Sequence, residues 1–551
     1  MVLGAIEAQG TFTQSTGIAI SAKLKSCCSL SVAGLPERDS VTADVSHNTA
    51  SSIFLRTASG FACQCWLALL SLVCFPVFIR ILGMEAFGLI GFYYTLQTIL
   101  RVLDLGLTPT VIRELARSSH DSKQASSLLE KAGTFETFFG IVGGLLALCL
   151  AALAPLIATH WLQHQTLSAA TVTNCLAILA VFCGVNWVSA FYQSALLGME
   201  RQVEFYALRV VEASLSSLGG LALIVYVAPD VRLLFIWQLV IATMAMLFYR
   251  ARFRRFLPAP IPLINLRVDL LWQIRGFAAG MGAISLLGLI LANMDKVFLS
   301  RMLPLEQFGS YSLAAFAVST VYGVIVTPIS NVMFPRLSSV AVSGDMLVRD
   351  LYHLTIQAFA VIVVPLMFGL ILFGRDLFEF WTHSISVADA AAGPVSWLAA
   401  GYTLNALMTG PYLLQIAHGW TSLGAKIAAL LVVLFLPTLI VLTHHFGPTG
   451  AAANFALMNG FYLAIGLWLT HVRYLNGQWR SVVMADIAPS ILFCLVAAMM
   501  VSRSPISGLP LLMRLVSGGI VVTATMVASA LATSPLRGRI LNRITSWVHI
   551  H

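Results

Sequence analysis

The chain has 551 residues, of which 58% are hydrophobic and only 10% charged, with a mean hydropathy of +0.88. Soluble domains carry about 25% charged residues, so an ordinary globular protein is excluded. The net charge of +9 does not mark a nucleic-acid binder, which needs a clustered basic face; basic cytoplasmic loops that orient a membrane protein account for it.

Apolar runs long enough to cross a bilayer, about 20 residues each, recur along nearly the whole length. They are continuous rather than alternating, which excludes a barrel of strands. The reading is an all-α polytopic membrane protein. Residues 1–56 are rich in Ser, Thr, Ala and Gly, lack periodicity and carry no convincing signal peptide, so a disordered cytoplasmic tail is expected there. About fourteen spans follow, near 58–80, 88–108, 134–158, 173–197, 206–228, 231–249, 272–293, 309–334, 351–374, 394–417, 424–445, 449–471, 482–501 and 508–533.

Most of the 32 basic residues fall on one side if the N-terminus is cytoplasmic, which places both termini inside. The longest inside connection, YRARFRRFLPAPIPLINLRVDL, starts basic and holds Pro258, Pro260 and Pro262, as a linker between two halves would. The expected layout is an N-lobe over 57–249, this linker over 250–271, a C-lobe over 272–471, two further helices over 472–535 and a cytoplasmic tail over 536–551.

A repeat supports the halves. RILGMEAFG at Arg80 returns as RMLPLEQFG at Arg301, pairing Leu82 with Leu303, Glu85 with Glu306, Phe87 with Phe308 and Gly88 with Gly309. Each copy is expected as the external turn after the first span of a six-span lobe. Six is even, so the lobes insert the same way up, as parallel repeats. A Gly at this turn allows close backbone approach or positive φ, and the adjacent Phe suits the membrane interface. The two turns are expected to meet as paired packing points of an outer gate, or else each caps its own lobe.

The nine cysteines form no CxxC, and most lie in apolar runs, where a free thiol behaves as a small hydrophobe. GWTSLGAKI at Gly419 puts Ala425 where a phosphate-binding loop needs Lys. His160 and His164 have helical ligand spacing without a third ligand. No metal, cofactor or catalytic residue is indicated, and no enzyme activity is expected.

Charge inside the spans remains. An ionisable residue at mid-bilayer costs roughly 2.5–3.5 kcal/mol on insertion scales, which makes it a functional candidate. Arg101 and Asp104 are three apart on the second span and either pair with each other or face a polar cavity. Arg209 and Glu212 on the fifth span repeat the spacing. Glu136, Arg275, Asp295, Lys296, Asp486 and Arg514 lie near span ends, where snorkelling to headgroups is the default.

The run RILGMEAFGLIGFYYTLQTILRVLDLGLTPTVIREL resembles the N-terminal signature of polysaccharide flippases, O-antigen flippases among them. These belong to the multidrug/oligosaccharidyl-lipid/polysaccharide exporter (MOP) superfamily. Leu82-Gly83, Glu85, Phe87-Gly88, Asp104-Leu105-Gly106 and Arg113 carry the likeness, with DKVFLSRML, FGSYSLA and FPRLSS in the second half. It covers about 58–475. The resemblance implies a V-shaped cleft between lobes and transfer of an undecaprenyl-diphosphate-linked oligosaccharide from the inner to the outer leaflet of the cell membrane. Its partners would be that lipid-linked oligosaccharide, membrane lipids, and the polymerase and glycosyltransferases of the same pathway. Arg101 matches a basic site of the related lipid II flippases, but the first span here lacks their basic residues. Arg101, Asp104, Arg209, Glu212, Arg275 and Lys296 are thus the candidate cleft set, with Glu85, Gly88, Glu306 and Gly309 as candidate gate residues. The alternatives are a drug/cation antiporter of the same superfamily and a membrane polysaccharide polymerase or ligase.

Overall fold

The computed structural model describes residues 39–103, 107–119, 125–260, 267, 269, 272, 293–340, 345–475 and 479–533. The chain divides into a unit over Met1–Thr57 and a unit over Ala58–His551. In the first, residues 39–57 are helical backbone, where the composition suggested an irregular tail. Among the described residues of the second unit there is no strand, only an isolated bridge between Gln163 and Pro304.

The helices in chain order are α1 (Ala58–Leu82), α2 (Met84–Leu103), α3 (Leu107–Ser119), α4 (Ala125–His160), α5 (Ala169–Gly198), α6 (Gln202–Tyr226) and α7 (Val231–Arg255). Then come α8 (293–302), α9 (Leu305–Val340), α10 (Asp345–Thr382), α11 (Ile385–Ala417), α12 (Thr421–Tyr474), α13 (Trp479–Arg503) and α14 (Leu511–Ala532). Among the described residues, ten helices are long and apolar enough to cross a membrane. The difference from fourteen has three sources. The expected span at 272–293 lies almost wholly outside the described residues. Helices α2 and α11 also form: the side chains at the end of α2, 101–103, lie outside the described residues, and polar residues such as Asn405 and Gln415 dilute the apolar character of α11. Both are packed by other helices, α11 by α9, α10 and α12, so these polar groups face protein rather than lipid.

The third source is α12, a single run of 54 residues that reverses at Gly447, where φ is 58° and ψ −139°. Thr438 donates to Asn454 at 2.7 Å, the Phe435 and Phe461 rings lie 5.4 Å apart, and Trp420 meets Tyr474 at the open end. These contacts make a tight hairpin of two antiparallel arms, matching the expected spans at 424–445 and 449–471. The break expected near Pro229-Asp230 is also present. Asp230 caps α7 by accepting from Arg232 N at 2.8 Å, and the Arg232 side chain holds its carboxyl below the usual range.

The basic end of α7 is held by carboxylates. Glu136 on α4 receives Arg250 at 2.8 Å, Arg254 at 3.0 Å and the Tyr192 hydroxyl at 2.9 Å, and Glu204 pairs with Arg252. Glu136, Asp295, Asp486 and Arg514, expected to snorkel to headgroups, instead have protein partners. Burial decides this: Asp486 and Asp295 are only 1% and 8% exposed, and a buried charge must be paired. Arg275 lies outside the described residues.

The largest apolar cluster draws on both halves, from Phe75, Phe87 and Tyr93 to Phe308, Tyr311 and Phe359. A second cluster belongs to α3–α7, and two more to α9–α13.

Candidate gate at the junction of the two halves

Among the described residues, the two halves of the chain meet chiefly where α2 crosses α9, the helices that follow the two copies of the repeated turn. The first copy turns at Gly83, whose φ of +85° is a left-handed conformation that side chains disfavour. Its N–H bonds Ile79 O at 2.9 Å and its carbonyl accepts from Phe87 N at 3.2 Å, joining α1 to α2. The second copy turns at Pro304, whose carbonyl likewise accepts from Phe308 N at 3.0 Å.

The glycines one turn further on face each other. A methyl group on Gly88 would lie 2.0 Å from the Leu305 carbonyl oxygen, and one on Gly309 would lie 2.7 Å from the Met84 carbonyl oxygen and 3.1 Å from Gly88 Cα. The next step repeats the motif: a methyl on Gly91 would fall 2.6 Å from Ser312 Oγ. Small residues let helix backbones approach closely in a membrane, where association rests on packing rather than on hydrophobic exclusion. Close approach, not positive φ, is therefore what Gly88 and Gly309 supply. Phe87 and Phe308 are buried at 2% and 0% exposure, so the expectation that they anchor at the membrane interface fails. Their rings fill the core behind the crossing, where Phe75 packs on Phe87 at 5.2 Å and on Phe316 at 4.7 Å.

The two glutamates of the repeat part company. Glu85 is 7% exposed; its carboxylate accepts from the backbone N–H of Gln165 at 2.6 Å, of Thr166 at 2.7 Å and of Leu167 at 3.2 Å, and from the Thr166 hydroxyl. Glu306 is exposed. The segment that Glu85 holds, between α4 and α5, reaches across to the other half. Gln163 O accepts from Leu305 N at 2.8 Å, Gln163 Nε2 donates to Arg301 O at 3.0 Å, and Trp161 Nε1 donates to Ser300 Oγ at 3.0 Å under the Arg301 guanidinium. This strap of residues 161–167 ties both turns together. The sequence marks it only through Trp161 and Gln163, which stand beside His160 and His164. Away from this end α9 opens out: Asn331, Val332, Phe334, Pro335 and Arg336 are exposed.

The candidate cleft residues are only partly brought together. Arg209 pairs with Glu212 at 3.1 Å, and the Tyr249 hydroxyl also donates to Glu212 at 3.1 Å. Lys296 lies 3.4 Å from Asn293 Oδ1 and 3.9 Å from Asp295, which accepts from Tyr311. Asp104 and Arg275, and the side chain of Arg101, lie outside the described residues.

The family model for polysaccharide biosynthesis proteins matches residues 57–341, more than half of the chain. The chain belongs to that family. A Shigella flexneri protein named as an O-antigen transporter is 21% identical over 388 residues, covering 69% of this chain and 88% of the relative. Among solved structures, the fold resembles the lipid II flippase MurJ in an inward closed conformation, with a TM-score of 0.67 at 11% identity over 87% of this chain and 98% of that one. It also resembles an inward-facing multidrug resistance MATE transporter of the MOP superfamily, with a TM-score of 0.63 at 12% identity over 75% and 95%. The family and the helical fold thus agree with the resemblance drawn from the sequence.

Proposed function

We propose that this protein flips a lipid-linked oligosaccharide of polysaccharide biosynthesis across the cell membrane by alternating access, and that the crossing of α2 and α9 is its closed outer gate. The reading takes the two halves as parallel lobes with the termini and the connection after α7 on the cytoplasmic side. The facing pair Gly88 and Gly309 carries it: two copies of one turn, one per half, pack against each other at a single end of the bundle, while α9 is exposed towards the other end. Such cargo joins an anionic diphosphate to sugars that cannot cross hydrocarbon and a lipid tail that can stay in it. A cleft closed outside admits the head group from the cytoplasm; parting the glycine crossing releases it outwards. Arg101, Arg209, Arg275 and Lys296 are the candidate cations for charge-assisted bonds to the diphosphate. The membership in a polysaccharide biosynthesis family and the O-antigen transporter relative support the cargo class.

The test is a reversible lock. Gly91→Cys and Ser312→Cys place two Cβ atoms 2.7 Å apart, about 1 Å short of the usual disulfide separation, a gap that a small helix shift supplies. In a background without native cysteines, the oxidised pair should stop export of the sugar polymer and leave lipid-linked repeat units on the inner leaflet, with recovery on reduction. Undiminished export with the pair fully cross-linked would refute the gate.

A further inference from the structure

A second polar centre lies far from this junction, where the C-terminal helices α13 and α14 dock on α10. Asp486 is 1% exposed and sits in a stretch of π-helix, Val482–Ile487, at the start of α13; such widened turns gather at functional sites. Its carboxylate accepts from Gln357 Nε2 at 2.7 Å and bonds His353 Nδ1, both on α10. From α12, His471 packs its ring on Tyr352 at 5.4 Å and is wholly buried.

Four buried side-chain atoms of this cluster have no protein partner: Gln357 Oε1, Tyr352 Oη, His471 Nε2 and Ser490 Oγ, the last one turn beyond Asp486. The residues that bear them are at most 1% exposed. Leaving such a group unsatisfied costs about 1–3 kcal/mol, so four together are not a device for stability. The tautomers sharpen the point. His471 Nδ1 lies 2.7 Å from Leu467 O, an acceptor only, so Nδ1 carries the hydrogen and Nε2 of the neutral ring is a free base. His353 Nδ1 against the carboxylate must likewise bear a hydrogen, or Asp486 must.

We propose that His353, Asp486 and His471 form a proton-binding site within the membrane-spanning bundle. A proton taken up here rests on the His353–Asp486 pair or on His471 Nε2, and Tyr352, Gln357 and Ser490 supply the hydrogen bonds that solvate it. Histidine is the side chain whose ordinary titration falls between about pH 5 and 8. Among the described residues, the other charged groups of the surrounding elements are engaged elsewhere or exposed: Arg349 and Asp350 on α10 are exposed, Arg514 pairs with Asp376, Arg375 with Glu379 and Asp389, Arg473 stacks on Trp420 and Arg480 on Trp479. Among the described residues, no further ion pair is made to the cluster that would lock it in one protonation state. Asp486 and the two α10 residues bridge α13 to α10, so proton occupancy bears on how firmly the C-terminal pair is seated. The proposal is independent of the cargo.

The test uses the full chain in lipid nanodiscs and needs no transported substrate. Proton uptake is measured by titration from about pH 8 to 5 for the wild type and for H353Q, D486N and H471Q, with thermal midpoints along the same range. The amide replacements keep polar partners, and the midpoint at pH 8 reports whether each variant folds. The wild type should bind about one proton per chain more than the variant doublet H353Q/H471Q, and its midpoint should shift with pH by more than that of the doublet, as linkage requires. D486N should move the midpoint of histidine titration. Identical uptake and parallel midpoints for wild type and doublet would overturn the proposal, because a pair locked in one state titrates nothing. A midpoint that responds to sodium against choline, with no proton difference, would overturn it in favour of a metal cation.

Discussion

Replacing Gly88 by Ala tests the gate with one methyl group. The added carbon would lie 2.0 Å from the Leu305 carbonyl oxygen and 2.9 Å from its carbon. A carbon rests against a carbonyl oxygen at about 3.3 Å, so α2 and α9 must part by about 1.3 Å at this level. The obstacle is backbone and cannot rotate away. A radial gap of 0.5–1 Å already forfeits about a quarter to a half of each dispersion contact, and overpacking costs about 1–3 kcal/mol. The open form suffers no such clash, so the closed-to-open ratio should fall about 5- to 150-fold. The assay is thiol labelling at Ser312→Cys, a near-isosteric change at a position whose Oγ is buried without a partner at the crossing. With native cysteines replaced, the rate of reaction with an impermeant maleimide in cells with a permeabilised outer membrane reports opening. Gly88→Ala should raise that rate by the same factor. Gly144→Ala, where a methyl would meet nothing within 4 Å, should leave it unchanged. Equal rates in the Gly88→Ala and parent proteins would refute the reasoning.

Glu85→Gln should accelerate Ser312→Cys labelling, because hydrogen bonds to a charged group are worth about 1.5–3 kcal/mol and Glu85 holds the strap; Glu306→Gln, at the matching position of the repeat but exposed, should change neither labelling nor thermal midpoint. Glu212→Gln should lower the yield of folded protein modestly and retain part of export, whereas Arg209→Ala should abolish export, with Arg209→Lys recovering some of it; full export by Arg209→Ala at normal protein level would remove Arg209 from the cargo path. Arg101→Ala should abolish export with insertion intact, and complete complementation of a flippase-null strain would show a purely structural cation. Cysteines at Arg80 and Glu306, both exposed, should react from the same, external side; labelling of one alone would defeat the parallel arrangement of the halves.

Much of the architecture was legible in the residues alone. Apolar runs longer than a bilayer is thick can satisfy their backbone only as helices, so the helical membrane fold followed from composition and length. The recurrence of Arg, Leu, Glu, Phe and Gly at Arg80 and Arg301 pointed to both elements of the junction, because a repeated local pattern survives without knowledge of its partner. The reversal inside α12 falls between the expected spans at 424–445 and 449–471, at Gly447-Pro448, residues whose backbone restrictions act locally. What the sequence could not settle was which surfaces meet. Glu85 and Glu306 are the same residue in the same turn, yet one is buried under three backbone N–H groups and the other is exposed, because the strap turns the N–H groups of residues 165–167 towards the first turn and meets the second through Trp161 and Gln163 instead. Asp486 read as a headgroup-seeking charge near a span end, and its partners His353 and Gln357 lie 133 and 129 positions away. A helix periodicity reports which face is apolar, not what covers it. Burial and pairing of charge in a bilayer depend on the neighbouring helix, and that neighbour is chosen by packing between segments far apart in the chain.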